Sequence, residues 1–268
     1  MRLFDTHCHL DFPLFSTCFE QQLQHAISCG VERYLIPATS PERWANIIAL
    51  ANRYPNRMYY ALGIHPHFIP QLSIAKLLQQ LEQQITSANR QCVALGECGL
   101  DAMIDEAADR QESLLLGQLS MAQSLQCPVI LHSRKTHQPL IRLIKQVKFA
   151  QGGVLHAFSG SLQEAQQFID LGFKLGVGGV ITYPRANKTR QTFAHVNVDH
   201  LVLETDAPDM PLAGFQGQVN HPLQLPLILQ ALAELKDCDA QWLAEKIWQQ
   251  SLAVFRLEGD EASTLSNQ

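Results

Sequence analysis

The chain lacks several features by which sequences declare a class. None of its seven cysteines is spaced as Cys-x-x-Cys, and the number is odd, so the sequence carries neither a disulfide framework nor a zinc ribbon. They read as reduced core thiols of a cytosol-like compartment. The opening Met1-Arg2-Leu3-Phe4-Asp5-Thr6-His7 lacks the apolar run of about 7 to 15 residues that a secretory signal needs. No stretch nears the roughly 18 apolar residues of a membrane span. A cytoplasmic protein with no membrane partner is therefore expected. Positive charge is also short: 20 Lys+Arg face 25 Asp+Glu, for a formal net charge of −5, which excludes coating of nucleic acid through bulk charge and leaves room only for a local cationic site. Lysines and arginines are dispersed, and no linker rich in Gly, Ser or Pro and no internal repeat interrupts the chain. With 46% hydrophobic and only 17% charged residues, disorder is excluded and a sizeable core is available.

What is present is an alternation. Eight short apolar runs, at 2–5, 31–37, 58–62, 92–96, 129–131, 153–155, 173–177 and 201–204, are each followed by a polar cluster and then by a longer segment. Cys92-Val93-Ala94-Leu95 and Pro128-Val129-Ile130-Leu131 are continuously apolar, as strands buried on both faces of a parallel sheet should be. Ser40-Pro41 marks a helix start running to about Arg53, and Ser161-Leu162-Gln163-Glu164 is a capping-box pattern with Gly172 as its stop. Further helices are expected over 73–89, 110–126, 136–148, 223–236 and 240–256. Eight βα units match a closed (β/α)8 TIM barrel of the α/β class, whereas a doubly wound sheet usually has about five to seven strands and a glycine-rich first turn. The first turn here is His7-Cys8-His9. The expectation is one barrel domain over residues 1–257 and a polar tail over 258–268.

The chemical residues fall at the C-terminal ends of these strands. His7 and His9 follow the first, His65 the third, Glu97 the fourth, His132 the fifth, His156 the sixth and Asp206 the eighth. In a barrel those ends converge on one rim, so residues far apart in sequence would share a pocket. Imidazoles with carboxylates are the ligand set of Zn, Mn, Fe or Co, with Mg favouring the carboxylates. Residues two apart on an extended segment face the same side, so His7 and His9 can reach one ion. Taken singly, His132 and His156 could be packed histidines and Asp206 a helix cap. Glu97 is harder to explain blandly, because a carboxylate directly after Val93-Ala94-Leu95-Gly96 pays a desolvation penalty unless a cation or strong donors meet it.

The stretches Asp5-Thr6-His7-Cys8-His9, Gly63-Ile64-His65-Pro66, Gly96-Glu97-Cys98-Gly99-Leu100-Asp101, His132-Ser133-Arg134, His156-Ala157-Phe158-Ser159-Gly160 and Glu204-Thr205-Asp206-Ala207-Pro208 together resemble the TatD-like metal-dependent deoxyribonucleases, within the amidohydrolase-like metal barrels. The resemblance implies a TIM-type barrel, hydrolysis of phosphodiesters and a centre of two divalent ions (Zn, Mg or Mn) held by His7, His9, Glu97, His132, His156 and Asp206. By analogy Glu97 bridges the ions, with His7 and His9 on one and His132 and His156 on the other. Relatives that bridge through a carbamylated lysine after the fourth strand differ here, since this chain has Glu97. Two departures bear on base stacking and substrate preference: Ala102 and Met103 follow Asp101 where aromatics are frequent, and Asn220-His221-Pro222 has histidine where glutamate is common.

A divalent ion lowers the pKa of bound water from about 15.7 to about 7, and a second can stabilise a leaving oxygen. Two such ions with ionised Glu97 and Asp206 leave a core of roughly +2, which attracts a phosphodiester anion. Asp206 is the expected general base, alongside Glu97 as catalytic carboxylate. Arg134 could grip a phosphate in bidentate fashion or simply open the next helix at the surface. His65 is expected to touch substrate, His67 to be a loop residue, and Asp101 and Glu204 to orient histidines. The expected partners are DNA ends, short oligonucleotides or a small phosphoester, with no obligate protein partner evident. A neutral amide, lactone or aminopurine substrate on the same metal barrel is the alternative, and a non-catalytic metal-binding protein is a third reading.

Overall fold

The computed structural model describes residues 1–257, and the polar tail expected from Glu258 lies outside the described residues. Continuous apolar runs need cover on both faces. Here they form one parallel sheet, in sequence order, of β1 (Leu3–Asp5), β2 (Val31–Pro37), β3 (Met58–Leu62), β4 (Cys92–Asp101), β5 (Val129–Arg134), β6 (Gly153–Leu155), β7 (Phe173–Val177) and β8 (Leu201–Leu203). The last strand returns to the first: the Thr6 amide donates to Leu203 O at 3.0 Å, the Asp206 amide donates to His7 O at 2.9 Å, and Cys8 bridges Ala207 in parallel. The sheet is a TIM barrel, as the βα alternation predicts.

Between and around the strands lie α1 (Phe19–Ser28), α2 (Pro41–Arg53), α3 (Ile74–Thr86), α4 (Ala108–Ser124), α5 (His137–Val147), α6 (Leu162–Asp170), α7 (Asn187–His195), α8 (Leu225–Lys236) and α9 (Ala240–Val254). Two of these carry little hydrophobic signal. α1 buries only Leu23 and Ala26, and two of the three residues α7 buries are threonines, so their apolar periodicity is faint. The Ser161–Glu164 capping box forms, with the hydroxyl and carboxylate satisfying each other's backbone amides. Ser40 occupies the N-cap of α2, but its side chain makes no capping bond, and Pro41 alone supplies the start signal. Among the described residues no helix is long and apolar enough to cross a membrane. All seven cysteines are free, but Cys18 and Cys29 are exposed and depart from the core placement expected of them.

Two apolar layers hold the barrel. The larger lies between strands and helices, and a second gathers Phe4, Leu35, Tyr59, Val93, Ile130, Val154 and Val202 from the strands with Trp248, Leu252 and Phe255. Phe4 is the hub of that inner set, with ring centroids 5.9 Å from Tyr59, 6.4 Å from Trp248 and 6.0 Å from Phe255. Helix α9 and the residues after it therefore cap the inner layer, leaving the C-terminal strand ends for polar groups.

The fourth strand runs further than its apolar run suggests. It continues through Glu97 to Asp101, with a register shift against β5 between Leu95 and Cys98. Likewise β5 extends past Leu131 through His132 to Arg134. Pairing between Gly99 and His132, and between Asp101 and Arg134, maintains the strand where apolar character has ended.

Close pairing of β5 and β6 leaves no room for a side chain at Gly153, where φ is +141° and a Cβ would lie 2.0 Å from Val129 O. Gly153→Ala is expected to lower the unfolding free energy by about 2 kcal/mol or more, measured by urea denaturation. An unchanged midpoint would contradict this register.

Candidate metal centre

The polar residues singled out in the sequence, Arg134 apart, meet in and around one cavity of about 270 Å³, lined by His9, Phe12, Thr39, His65, His67, Phe68, Glu97, His132, His156, Asp206 and Asp209. His7 lies fully buried beneath it, its ring stacked on His156 with centroids 3.9 Å apart. Alternation along the segment after β1 turns His7 and His9 toward the centre and sends Cys8 the other way, where its thiol donates to Leu35 O at 3.6 Å. Asp206 sits in the left-handed region at φ +59°, a conformation aspartate tolerates better than most L-residues. Its loop is tied down by Asn220, whose Nδ2 donates to Thr205 O at 2.7 Å and Asp209 O at 2.8 Å.

Glu97 is the middle of the arrangement, and its two oxygens face different groups. Oε2 lies 3.2 Å from His7 Nε2 and 3.7 Å from His9 Nε2. Oε1 lies 3.0 Å from His156 Nε2, 3.3 Å from His132 Nδ1 and 3.4 Å from His65 Nε2. Asp206 Oδ1 closes the first group, 3.5 Å from His7 Nε2 and 3.7 Å from His9 Nε2.

Neighbouring hydrogen bonds decide which nitrogens carry protons. His9 Nδ1 is 3.2 Å from Pro37 O, a carbonyl that can only accept, so the proton is on Nδ1 and Nε2 presents a lone pair. That lone pair faces His7 Nε2 at 3.3 Å. His132 Nε2 is 3.2 Å from Asp101 Oδ2, so His132 Nδ1 is the bare nitrogen, 3.2 Å from His156 Nε2. His65 differs: its Nδ1 accepts from the His67 amide at 3.0 Å, so Nε2 carries a hydrogen. By proximity alone His65 groups with Glu97 and His132 as a cation holder, but its hydrogen-bonding makes it a donor aimed at Glu97.

Lone pairs and carboxylate oxygens thus converge with too few protons between them, in an environment where an unbalanced buried charge costs several kcal/mol. The titration behaviour reflects this. Burial would raise Glu97, but His156, His65, His7 and His132 outweigh it and hold the carboxylate well below its usual range. Burial would lower His156, yet Glu97, then Asp206 and Glu204, pull it up to about 10. Burial drives His7 well below the ordinary imidazole range and His9 down to about 4, and it pushes Asp206 up to about 7. One ring takes a proton while its neighbours refuse one. Divalent cations relieve the same deficit for every lone pair at once, so the residues fit such a group. Among the described residues the donor sets whose hydrogen bonding leaves them open to a cation are His7, His9 and Glu97, and His7, His156 and Asp206, with Glu97 and His132 facing each other beside them.

A buried outer set supports these side chains. Asp101 Oδ2 accepts from His132 Nε2 at 3.2 Å. Glu204 accepts from the Ala157 amide and lies 3.8 Å from His156 Nδ1. Burial raises Glu204 to about 8, and it fits only because Gly176 lacks a Cβ, which would fall 2.2 Å from Glu204 Oε2. Asp5, unremarked as a site residue in the sequence, is fully buried and clamps the end of β1 to the Asp206 loop, accepting from the Thr205 hydroxyl at 2.6 Å and the Thr205 amide at 3.0 Å. Its signal was its position two residues before His7. Phe12 stacks on His9 at 5.3 Å, a contact with no signature in sequence. Arg134 is exposed at the end of β5 and does not line the cavity.

The model of the TatD related DNase family matches residues 4–256. The chain belongs to this family. The uncharacterized metal-dependent hydrolase YjjV of Escherichia coli (strain K12) is 45% identical to it over 257 residues, covering 96% of this chain and 98% of the relative. The crystal structure of YjjV, a TatD homologue, superposes with a TM-score of 0.91 over 96% of this chain and 99% of its own. A 3'-5' ssDNA/RNA exonuclease TatD from Pectobacterium atrosepticum is 32% identical over 263 residues, covering 95% of this chain and 100% of the relative. This TatD family member is accordingly a metal-dependent hydrolase on a TIM barrel.

Mn²⁺ or Zn²⁺ at about 100 times its dissociation constant is expected to stabilise this TatD family member by about 2.7 kcal/mol, raising the melting temperature by about 5 °C or more, with EDTA reversing the gain. E97Q is expected to weaken metal binding by at least about 100-fold, read by calorimetry. A melting temperature indifferent to every divalent ion would contradict the charge argument.

Proposed function

We propose that this chain is a phosphodiesterase that trims the ends of DNA or short oligonucleotides with two divalent cations, Zn²⁺, Mn²⁺ or Mg²⁺, and that it works in the reducing cytoplasm. The single observation that carries this reading is the division of Glu97, with Oε2 toward His7 and His9 and Oε1 toward His132 and His156. Such a carboxylate would offer one oxygen to each of two cations, and a core of roughly +2 would favour an anionic diester over a neutral amide or lactone.

In this reading His7, His9, Glu97 and Asp206 hold one cation, and Glu97, His132 and His156 the other. When bound, the cations supply Lewis acidity toward the phosphoryl oxygens and acidify water at neutral pH. The residues do the rest. Asp206, whose Oδ1 lies 3.5 Å from His7 Nε2 at the edge of the cavity, accepts a proton from the attacking water on its carboxylate. Asp101 keeps the proton of His132 on Nε2, so that ring presents Nδ1, while Glu204, 3.8 Å from His156 Nδ1, faces the second ring as a charge partner. His65 donates from Nε2 to a phosphoryl or leaving oxygen in the cavity. Arg134, outside the cavity, meets a phosphate further along a longer substrate.

Metal-loaded protein is expected to release nucleotides from single-stranded oligonucleotides. Hydrolysis of a lactone or amide with all phosphoesters untouched would overturn the reading. D206N is expected to lower kcat by about 10²- to 10⁴-fold, assayed by product release under saturating metal. An activity equal to the unsubstituted protein would remove Asp206 from the proton transfer.

A further inference from the structure

Two phenylalanines line the cavity, and they differ in what occupies their faces. Phe12 is partly buried and stacked on His9 with an interplanar angle of 26°, and the Arg43 guanidinium lies 4.7 Å from its ring centroid. It is committed to holding His9. Phe68 is 45% exposed, and its ring contacts are tilted or edge-on, at 51° with His65 and 66° with His67. No ring of the described residues stacks flat on it.

Its place is fixed. Phe68 ends the short turn Pro66–Phe68, its amide donates to His65 O at 3.0 Å, and the His65 side chain locks the same turn by accepting from the His67 amide. The aromatic face is therefore held one turn from the His65 Nε2 that lies 3.4 Å from Glu97 Oε1. The segment after β4, where Ala102 and Met103 follow Asp101, offers no ring. Among the described residues the other widely exposed aromatic is Trp242, on α9, which does not line the cavity.

We propose that Phe68 is the stacking platform for the nucleobase adjoining the scissile phosphate. This rests on the phosphodiesterase reading, because a nucleic acid whose phosphate occupies the cationic centre carries a flat base one sugar away. Of the two phenylalanines lining that cavity, Phe68 is the one with a face still free to meet the base. The base must be unpaired to lie on the ring, and base–aromatic stacking contributes about 1 to 3 kcal/mol, a factor of about 5 to 150 in binding.

The test is steady-state cleavage by the Mn²⁺-loaded full chain of two single-stranded oligonucleotides, one intact and one with abasic sugars at the terminal positions, using F68A, F68L and F68W. For the unsubstituted protein, removing the bases is expected to raise KM about tenfold or more. F68A and F68L are expected to raise KM on the intact strand by a similar factor, with the loss carried by KM more than by kcat, and to erase the distinction from the abasic strand. F68W is expected to preserve it. F68L keeps an apolar side chain of similar size at a half-exposed position, so its loss reports the aromatic face and not the fold. If F68A and F68L keep the original KM and still discriminate against the abasic strand, the stacking role is overturned while the phosphodiesterase reading stands. If the unsubstituted protein cleaves neither strand, that reading fails and this one with it.

Discussion

A carboxylate placed where water cannot reach it must be neutralised by its surroundings, and the architecture of this chain around Glu97 follows from that constraint. The glutamate lies within the long fourth strand, 2% exposed, with imidazoles from four other strand ends around it. Three of these rings are in turn oriented by an oxygen or amide behind them: Pro37 O for His9, Asp101 for His132, the His67 amide for His65. The orienting groups determine which nitrogens are bare, and the bare nitrogens create the demand for cations. Charge balance, and not shape alone, couples loops that are as much as 200 residues apart in sequence, as in the clamp from Asp5 to Thr205.

The barrel makes this coupling inexpensive. Because the strands run in sequence order and all in parallel, every strand end reaches the same rim without a crossing connection. The inner apolar layer around Phe4 and Trp248 fills the opposite end, so the polar groups are concentrated where the sheet splays and solvent can enter. The closing bonds between β1 and β8 lie beside the candidate ligands, with the Asp206 amide bonded to His7 O. The same short segments thus close the barrel and carry the side chains of the centre.

Much of this was legible in the sequence, for identifiable reasons. Apolar runs buried on both faces announced all eight strands, and histidines and carboxylates immediately after them announced the rim. The run at 92–96 stopped short because Glu97, Cys98 and Gly99 continue the strand without continuing its hydrophobicity. Helices α1 and α7 were faint because they bury few large side chains. Asp101 and Glu204 were readable as histidine partners from their places at strand ends. The role of His65 as a donor was not, because it depends on a backbone amide two residues on, and neither was the contrast between Phe12 and Phe68, which depends on which ring faces remain open.

Cys8 sits between two imidazoles directed at the centre, yet its sulfur is turned away, fully buried and bonded toward Leu35 O, with burial pushing its thiol well above the ordinary range. Strand parity thereby keeps a soft sulfur away from the imidazole and carboxylate donors. The centre stays purely nitrogen and oxygen, biased against thiophilic ions such as monovalent copper. The sulfur most intimately placed in the motif is, with Cys98, the most shielded from an oxidant, while Cys18 and Cys29 stand exposed to one.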